Sequence, residues 1–328
     1  MNNRLNRKKN KKRRILRIIL LLFVLLLIGG GIYGVNVYND IANAVDKMHK
    51  SLDREKSEKR EEKVQFDLQD PLSILVVGID EREGDSGRTD SMLVLTINPD
   101  TKSTNIVSIP RDTRTELIDE DGDIEIDKMN HAYAFGGIEM TIRSIEHFLN
   151  IPIDYYAEVN MEGFRDIVDA VGGIDVDNKH EFELDGTYLS EGKHHLDGEE
   201  ALQYARMRNE DPLGDFGRQE RQREVISKVI DKGASLSTLT NYDDILDALE
   251  DNIKTNLTLN EIIGIQMEYK SAAKTIKKLE IEGEGKRLND GIWYFLVEDE
   301  VRQTLSDELR THLGLSADSV DEINISNY

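Results

Sequence analysis

Apolar residues fall along this chain in three rhythms, and each predicts a different element. Ile18–Ile28 is an unbroken apolar run of eleven residues, and no charge occurs between Arg17 and Asp40. Those 22 uncharged residues are enough to cross a bilayer core of about 30 Å as a helix, the conformation that satisfies its own backbone groups in lipid. Next, Ile41, Ala44, Val45, Met48 and Leu52 recur at helical spacing as a narrow stripe. In Asp53–Lys63 every residue but Ser57 is charged, with mixed signs, which predicts a solvated stalk, and folded sequence is expected from Asp70-Pro71.

From there short apolar runs alternate with helical periodicity. Strands are predicted at Ser73–Gly78, Met92–Ile97 and Asn105–Ile109, the last two joined as a hairpin through Asn98-Pro99-Asp100. Gly137–Leu149 has helical spacing through Ile138, Ile142, Ile145 and Leu149. A strand at Tyr155–Val159, a helix at Phe164–Val171 and a strand at Ile174–Val176 follow. Glu199–Ala205 and Gln219–Lys232 are predicted helical. The tail predicts a helix near Leu259–Lys277, strands near Lys278–Glu282 and Ile292–Val297, and a helix over Glu298–Leu313. Hairpins mixed with strand–helix alternation predict a mixed α/β fold, a central mixed β-sheet flanked by helices.

Charge gives this order a direction. Residues 1–17 hold nine Lys or Arg and no acid, so of the net charge of −22 the remaining residues carry −31. The basic cluster before the apolar run predicts a cytoplasmic N-terminus. A cleavable signal peptide is the competing reading, but Ala42-Asn43-Ala44, the one cleavage-like sequence, lies far beyond the apolar run. The expected division is a cytoplasmic basic tip (1–17), a transmembrane helix (18–38), a charged stalk (39–69) and a single extracytoplasmic domain (70–328) with its motif core at 73–232. A body at −31 argues against nucleic acid as a partner. The absence of cysteine excludes disulfides, thiol catalysis and Cys-ligated zinc. No HExxH, GxSxG or Walker sequence occurs.

The chemistry gathers where cations oppose that background. Gly78-Ile79-Asp80-Glu81-Arg82, Arg88-Thr89-Asp90, Pro110-Arg111-Asp112, Lys128-Met129-Asn130, Arg206-Met207-Arg208 and Asp215-Phe216-Gly217-Arg218 each lie at the mouth of a predicted strand or helix. That is where α/β sheets place ligands. If Arg88, Arg111, Arg206, Arg208 and Arg218 converge, they need a counter-charge: two guanidiniums about 7 Å apart repel by roughly 2 kcal/mol at an effective dielectric of 20. A phosphate or pyrophosphate supplies it and matches the guanidinium fork. Asp80 and Asp90 suit Mg²⁺, which takes one or two carboxylates together with phosphate oxygens and water. On a helix starting near Gly217, Arg218, Arg221 and Gln222 share a face. Plain alternatives exist for each: Arg206 pairing with Glu199 or Glu200, the two aspartates as turn or cap residues, Lys128–His131 as a loop, and His194-His195 as a turn rather than a metal site.

Seven segments in order, GIDER (78–82), RTDSMLVL (88–95), SIPRDT (108–113), KMNHAYAFGG (128–137), VDAVGGIDVD (168–177), LDGEEALQYARMR (196–208) and DFGRQERQ (215–222), resemble the LytR-CpsA-Psr family of bacterial cell-envelope phosphotransferases, most of all its teichoic acid transferases. The resemblance implies Mg²⁺-dependent transfer of an anionic glycopolymer from a polyprenyl-pyrophosphate carrier to peptidoglycan. The product would be a phosphodiester to N-acetylmuramic acid, with polyprenyl phosphate released. It implies Asp80 and Asp90 as metal ligands, and Arg88, Arg111, Arg206, Arg208, Arg218 and Gln222 as the pyrophosphate-binding set. Arg111 and Asp90 are the expected catalytic pair, Asp90 as a general base whose basicity metal binding would weaken. It further implies an apolar tunnel for the prenyl tail, with Phe135, Ile142, Phe148, Phe164, Ile167 and Val171 as either lining or ordinary core. Two readings stay open on these residues: a polyprenyl-pyrophosphate hydrolase, and a non-catalytic module binding an envelope glycolipid. The expected location is the cell membrane, single-pass, with the catalytic domain outside.

Overall fold

In a computed structural model the described residues are 34–80, 88–235, 246 and 249–323. The basic tip, the apolar run Ile18–Ile28 and Glu81–Gly87 lie outside them. Among the described residues no helix is long and apolar enough to cross a membrane.

The fold is the mixed α/β arrangement that the alternating pattern predicts. β1 (Leu72–Asp80), β2 (Arg88–Asn98) and β3 (Ser103–Ser108) pair antiparallel at the centre of a six-stranded sheet. β6 (Tyr155–Asn160) adds in parallel beside β1, and β12 (Thr275–Leu279) in parallel beside β3. β11 (Ile253–Thr255) closes the far edge, giving the order β11-β6-β1-β2-β3-β12. Two-stranded ribbons stand apart: β4 (Arg114–Ile118) with β5 (Ile124–Lys128), β7 (Ile174–Asn178) with β10 (Gly192–Leu196), β8 (Phe182–Leu184) with β9 (Thr187–Leu189), and β13 (Glu284–Arg287) with β14 (Trp293–Leu296).

Central strands buried on both faces read as continuous apolar runs, which is why SILVVG is unbroken. On one face Leu75, Val77, Met92, Val94 and Val107 pack against α2 (His131–Leu149) and the C-terminal helix Asp299–His312 through Ile138, Ile142, Ile145, Phe148, Leu305 and Leu309. Each such fully buried aliphatic side chain contributes about 1.5–3 kcal/mol. The long part of α2 follows an interruption at Gly136 and Gly137, where the apolar spacing also begins. On the opposite face Leu93, Leu95 and Ile106, with half-buried Ile74, Val76 and Ile97, lie under Ile226 and Ile230 of α5 (Asp215–Ser235). α3 (Met161–Ala170) and α4 (Gly198–Arg206) complete a smaller core around Val168, Ile174, Tyr204 and Met207. Both are capped as their sequences dictate: the Asn160 side chain accepts from Gly163 N–H, and Asp197 with Glu200 forms a capping box.

Three expectations are corrected. The charged run 53–63 is not a free stalk: Asp53, Glu55, Lys56 and Glu58 face water, but the segment is pinned to the folded domain. Arg54 makes a two-pronged bond to Glu146 (2.6 and 2.9 Å), Arg60 another to Asp154 (2.7 and 2.8 Å), and Ser57, 1% exposed, donates to Glu146. Packing therefore begins well before Asp70: residues 34–48 form the first helix, α1, Ala44, Val45 and Met48 are buried, and Lys50 N–H donates to Thr255 C=O at 2.8 Å. The predicted helix Leu259–Lys277 ends at Glu268, because the chain turns through a short 3-10 segment, Lys270–Lys274, into β12. His194 and His195 lie in β10, where register with β7 sets His195 Nδ1 2.8 Å from Asp175, rather than in a turn.

Candidate active site

The site forms where β1, β2 and β3 end together. Gly78 pairs with Ser91, but Ile79 pairs with Thr89, so Asp90 is the extra residue of a β-bulge. A bulge re-aims its residue out of the sheet's alternation. Gly78 leaves room there: a Cβ would meet Ser91 Oγ at 2.8 Å, and the serine would have to turn away. Beyond the bulge, Asp80 and Arg88 stand opposite each other as the last pair of the two strands. Their side chains lie outside the described part of the structure.

Arg111 follows β3, in a turn fixed by Pro110. Thr113 N–H and Oγ1–H both donate to Pro110 C=O (2.9 and 2.7 Å), and Asn130 N–H donates to Arg111 C=O at 3.1 Å. Arg111 Nη1 then donates to Asp90 Oδ1 at 2.6 Å, with Asp90 42% exposed. Asp112 beside it is held by Lys128 Nζ at 2.7 Å, so Lys128 serves the turn and is not a free cation of the loop. Met129 is buried core.

α5 starts at Asp215 and brings Arg218 to the same place. Arg218 is 10% exposed and lies 2.7 Å from Asp215. Burial pushes its guanidinium below the usual range, as do the charges of Arg111 and Arg208, while Asp215 and Asp90 oppose them. For Arg111 burial also works against the charge, yet the bond and charge of Asp90, with Asp215 and Asp112, outweigh it and raise its pKa. Both guanidiniums remain charged at neutral pH. These mutual influences place Arg111, Arg208, Arg218, Asp90 and Asp215 in one cluster.

The other expected residues lie around it. Arg206 ends α4 and is exposed, donating to Asp185 Oδ2 at 2.8 Å and Gln203 Oε1 at 3.1 Å, rather than to Glu199 or Glu200. Buried Met207 anchors the chain between Arg206 and the exposed Arg208. Gln222 is half-buried one turn beyond Arg218. Arg221 does not share the ligand face: it is buried, bonding Tyr204 C=O at 2.9 Å and also Asp211 and Met207 C=O. It thus holds the loop that carries Arg208. Gly217 permits this, because a Cβ there would overlap the Asp211 carboxylate. Asp215 was not singled out by the sequence pattern, although its i, i+3 spacing to Arg218 is a readable signal.

The residues present fit a hard divalent cation. Asp80 and Asp90 are oxygen donors on neighbouring strand ends, and among the described residues no group of three or more His, Cys, Asp or Glu converges. Two carboxylates leave most of a shell to phosphate oxygens and water, the ordinary situation for Mg²⁺.

The six apolar candidates for a tunnel are divided between two cores and the surface, with Ile167 half-buried on α3. Ile142 and Phe148 belong to the main core, Phe164 and Val171 pack on the smaller one, and Phe135 is exposed beside His131. An apolar strip that the sequence did not reveal leads instead from the cation cluster along α5. There Ile226 and Ile230 lie over half-buried Ile74, Val76, Ile97 and Ile276 of the sheet.

The model of the LytR_cpsA_psr family matches residues 35–311. A protein of Bacillus mycoides (strain KBAB4), the polyisoprenyl-teichoic acid–peptidoglycan teichoic acid transferase TagU, is 49% identical over 288 residues, covering 88% of this chain and 94% of its own. Two solved structures are similar over 81% of this chain and 100% of theirs. One is TagT bound to LIIa-WTA (33% identity, TM-score 0.69). The other is the LytR-CPS2A-psr family protein YwtF (TagT) with bound octaprenyl pyrophosphate lipid (31% identity, TM-score 0.64).

Proposed function

The chain belongs to the LytR_cpsA_psr family, and on that premise we propose that it transfers wall teichoic acid from a polyprenyl-pyrophosphate carrier to peptidoglycan, with the strand-end cluster as its catalytic centre. The observation that carries the reading is that Arg111 and Arg218, with Arg208 near them, gather beside Asp90 and Asp215, while the third carboxylate, Asp112, is already held by Lys128. Buried like charges are costly unless an anion joins them, and a pyrophosphate is the anion of matching size and charge.

The donor's pyrophosphate lies across Arg111 and Arg218, with Arg88, Arg206, Arg208 and Gln222 at its margins. Its prenyl tail follows the apolar strip between α5 and the sheet. Asp80 and Asp90 would hold Mg²⁺, which would neutralise charge on the phosphate oxygens. The acceptor hydroxyl of N-acetylmuramic acid attacks the sugar-linked phosphorus in line. A new P–O bond forms, the bond to the bridging oxygen breaks, and polyprenyl phosphate leaves with the electron pair. The guanidiniums are fixed by Asp90, Asp215 and the Pro110 turn before the substrate arrives, so they stabilise developing charge with little reorganisation. Asp90 is exposed enough to accept the hydroxyl proton, a role that competes with its hold on the metal.

The apolar segment before residue 34 and its basic flank support a single-pass anchor with the N-terminus in the cytoplasm and the folded domain outside. The packed segment 49–63 then joins membrane and domain without a flexible stalk.

Product analysis tests the reaction. Full-length protein in detergent, given a labelled lipid-pyrophosphate glycan and Mg²⁺, should form a glycan–peptidoglycan phosphodiester only when peptidoglycan is present. Release of glycan phosphate at the same rate without peptidoglycan would identify a hydrolase.

A further inference from the structure

A cavity of about 260 Å³ lies against the first turns of α5, where Phe216, Gln219 and Arg223 continue towards the N-terminus the helix face that carries Ile226 and Ile230. It is lined by Phe216, Gln219, Arg223, Glu280, Glu282 and Gly283, among others. None of these belongs to the pyrophosphate-binding set. We propose that this cavity seats one sugar ring of the glycan acceptor, and so presents its hydroxyl to the phosphorus held by Arg111 and Arg218. The proposal rests on the transferase reading above and names where the second substrate sits.

Its composition selects the ligand class. Arg223 is only 3% exposed, and its Nε has no hydrogen-bond partner. Its Nη2 bonds Glu280 at 2.7 Å, although Glu280 itself is 73% exposed. An orphaned buried N–H asks for an acceptor. Two carboxylates against one guanidinium make the cavity unsuitable for a second phosphate. A neutral polyhydroxylated ring meets both demands, because its hydroxyls accept from Arg223 and donate to Glu280 and Glu282. Phe216 is 46% exposed and supplies an apolar face for such a ring. The volume falls below the roughly 300–1,000 Å³ of sites for drug-sized ligands, which fits one ring of a longer strand.

Its position links it to the chemistry. Gln219 Nε2 donates to Asp215 Oδ2 at 3.1 Å, and Asp215 faces Arg218. Phe216 packs edge-on against Phe295 with ring centroids 5.5 Å apart, and Phe295 N–H donates to Asp112 C=O, the residue after Arg111. The cavity lining thus connects to Arg218 through Gln219 and Asp215, and to Arg111 through Phe216, Phe295 and Asp112.

The test uses full-length protein and two substitutions at exposed positions, Phe216→Ala and Glu282→Ala, checked for an unchanged thermal melt. Titration calorimetry with a tetramer of N-acetylglucosamine should show binding to the parent that weakens about tenfold or more in each variant. The KM for peptidoglycan should rise by a similar factor, while affinity for polyprenyl pyrophosphate stays the same. Absence of oligosaccharide binding by the parent, or an unchanged acceptor KM in both variants, overturns the proposal. Variant-sensitive sugar binding by a protein that transfers nothing would leave the cavity assignment standing and remove the transferase reading. Normal transfer with an acceptor KM indifferent to both substitutions would do the reverse.

Discussion

Arg111 and Asp90 meet at 2.6 Å although they lie on different strand ends, and they meet because the bulge at Gly78 displaces Asp90 from the alternation of β2. Gly78→Ala places a methyl group against Ser91 Oγ, so that the serine must turn or the bulge give way. The expected cost is about 1–3 kcal/mol of stability. Transfer should fall at least about tenfold, since a displacement near 1 Å at a reacting centre can cost on the order of 10²-fold. Adding Ser91→Ala removes the clashing oxygen and should recover most of both. Transfer assays and urea melts on the three variants check this; failure of the second substitution to rescue would separate the loss from the bulge.

Arg60 and Asp154 form a nearly buried pair, 2.7 Å apart, that ties the charged segment 53–63 to the start of β1, where Asp154 also accepts from Ser73 N–H at 2.9 Å. Asp154→Ala leaves Arg60 buried without its partner and should cost about 3–5 kcal/mol. Replacing both residues by apolar ones should cost less than the single change. Urea denaturation of the single and double variants decides, and equal losses would show that the pair is not coupled.

These contacts mark what was legible in the sequence and what was not. The central strands and the β2–β3 hairpin could be read because burial on both faces and the Asn98-Pro99-Asp100 turn are local signals. The run 53–63 was misleading for a physical reason: mixed charges look alike whether they meet water or partners. Its partners, Glu146 and Asp154, lie on distant elements. Motif order brought Arg111 and Arg218 together on paper, but helical phase alone could not show that Arg221 turns inward to Asp211. The sugar cavity was invisible because α5 meets the stretch Glu280–Gly283 only in three dimensions.

Arg221 acts through the loop it grips. Arg221→Lys keeps the charge but loses the fork that reaches Tyr204 C=O, Asp211 and Met207 C=O together. The thermal midpoint should fall, and the KM for the lipid donor should rise more than kcat falls, because Arg208 loses its placement. A drop in kcat alone would point to direct contact with the reacting phosphate instead.

His312 gives stability a pH dependence. Its Nδ1 lies 2.8 Å from Thr96 Oγ1 and its Nε2 2.9 Å from Ser103 Oγ, and burial lowers its pKa below 6.5, Lys277 adding to this and Glu308 opposing it. The fold therefore favours the neutral ring. Its contribution is fully present above pH 6.5 and is lost as pH falls through the lowered folded value. The urea midpoint should drop between pH 7 and pH 5, and drop less in His312→Gln. An equal drop in both proteins would assign the acid sensitivity to other groups.

The central claim, that the cluster around Arg111 stabilises the phosphoryl transfer, is tested most directly by the transfer rate of Arg111→Ala at saturating donor and acceptor. The account predicts a loss of about 10²–10³-fold in kcat, the scale of removing one preorganised donor to a developing charge. A variant that folds like the parent and transfers glycopolymer as fast would contradict it.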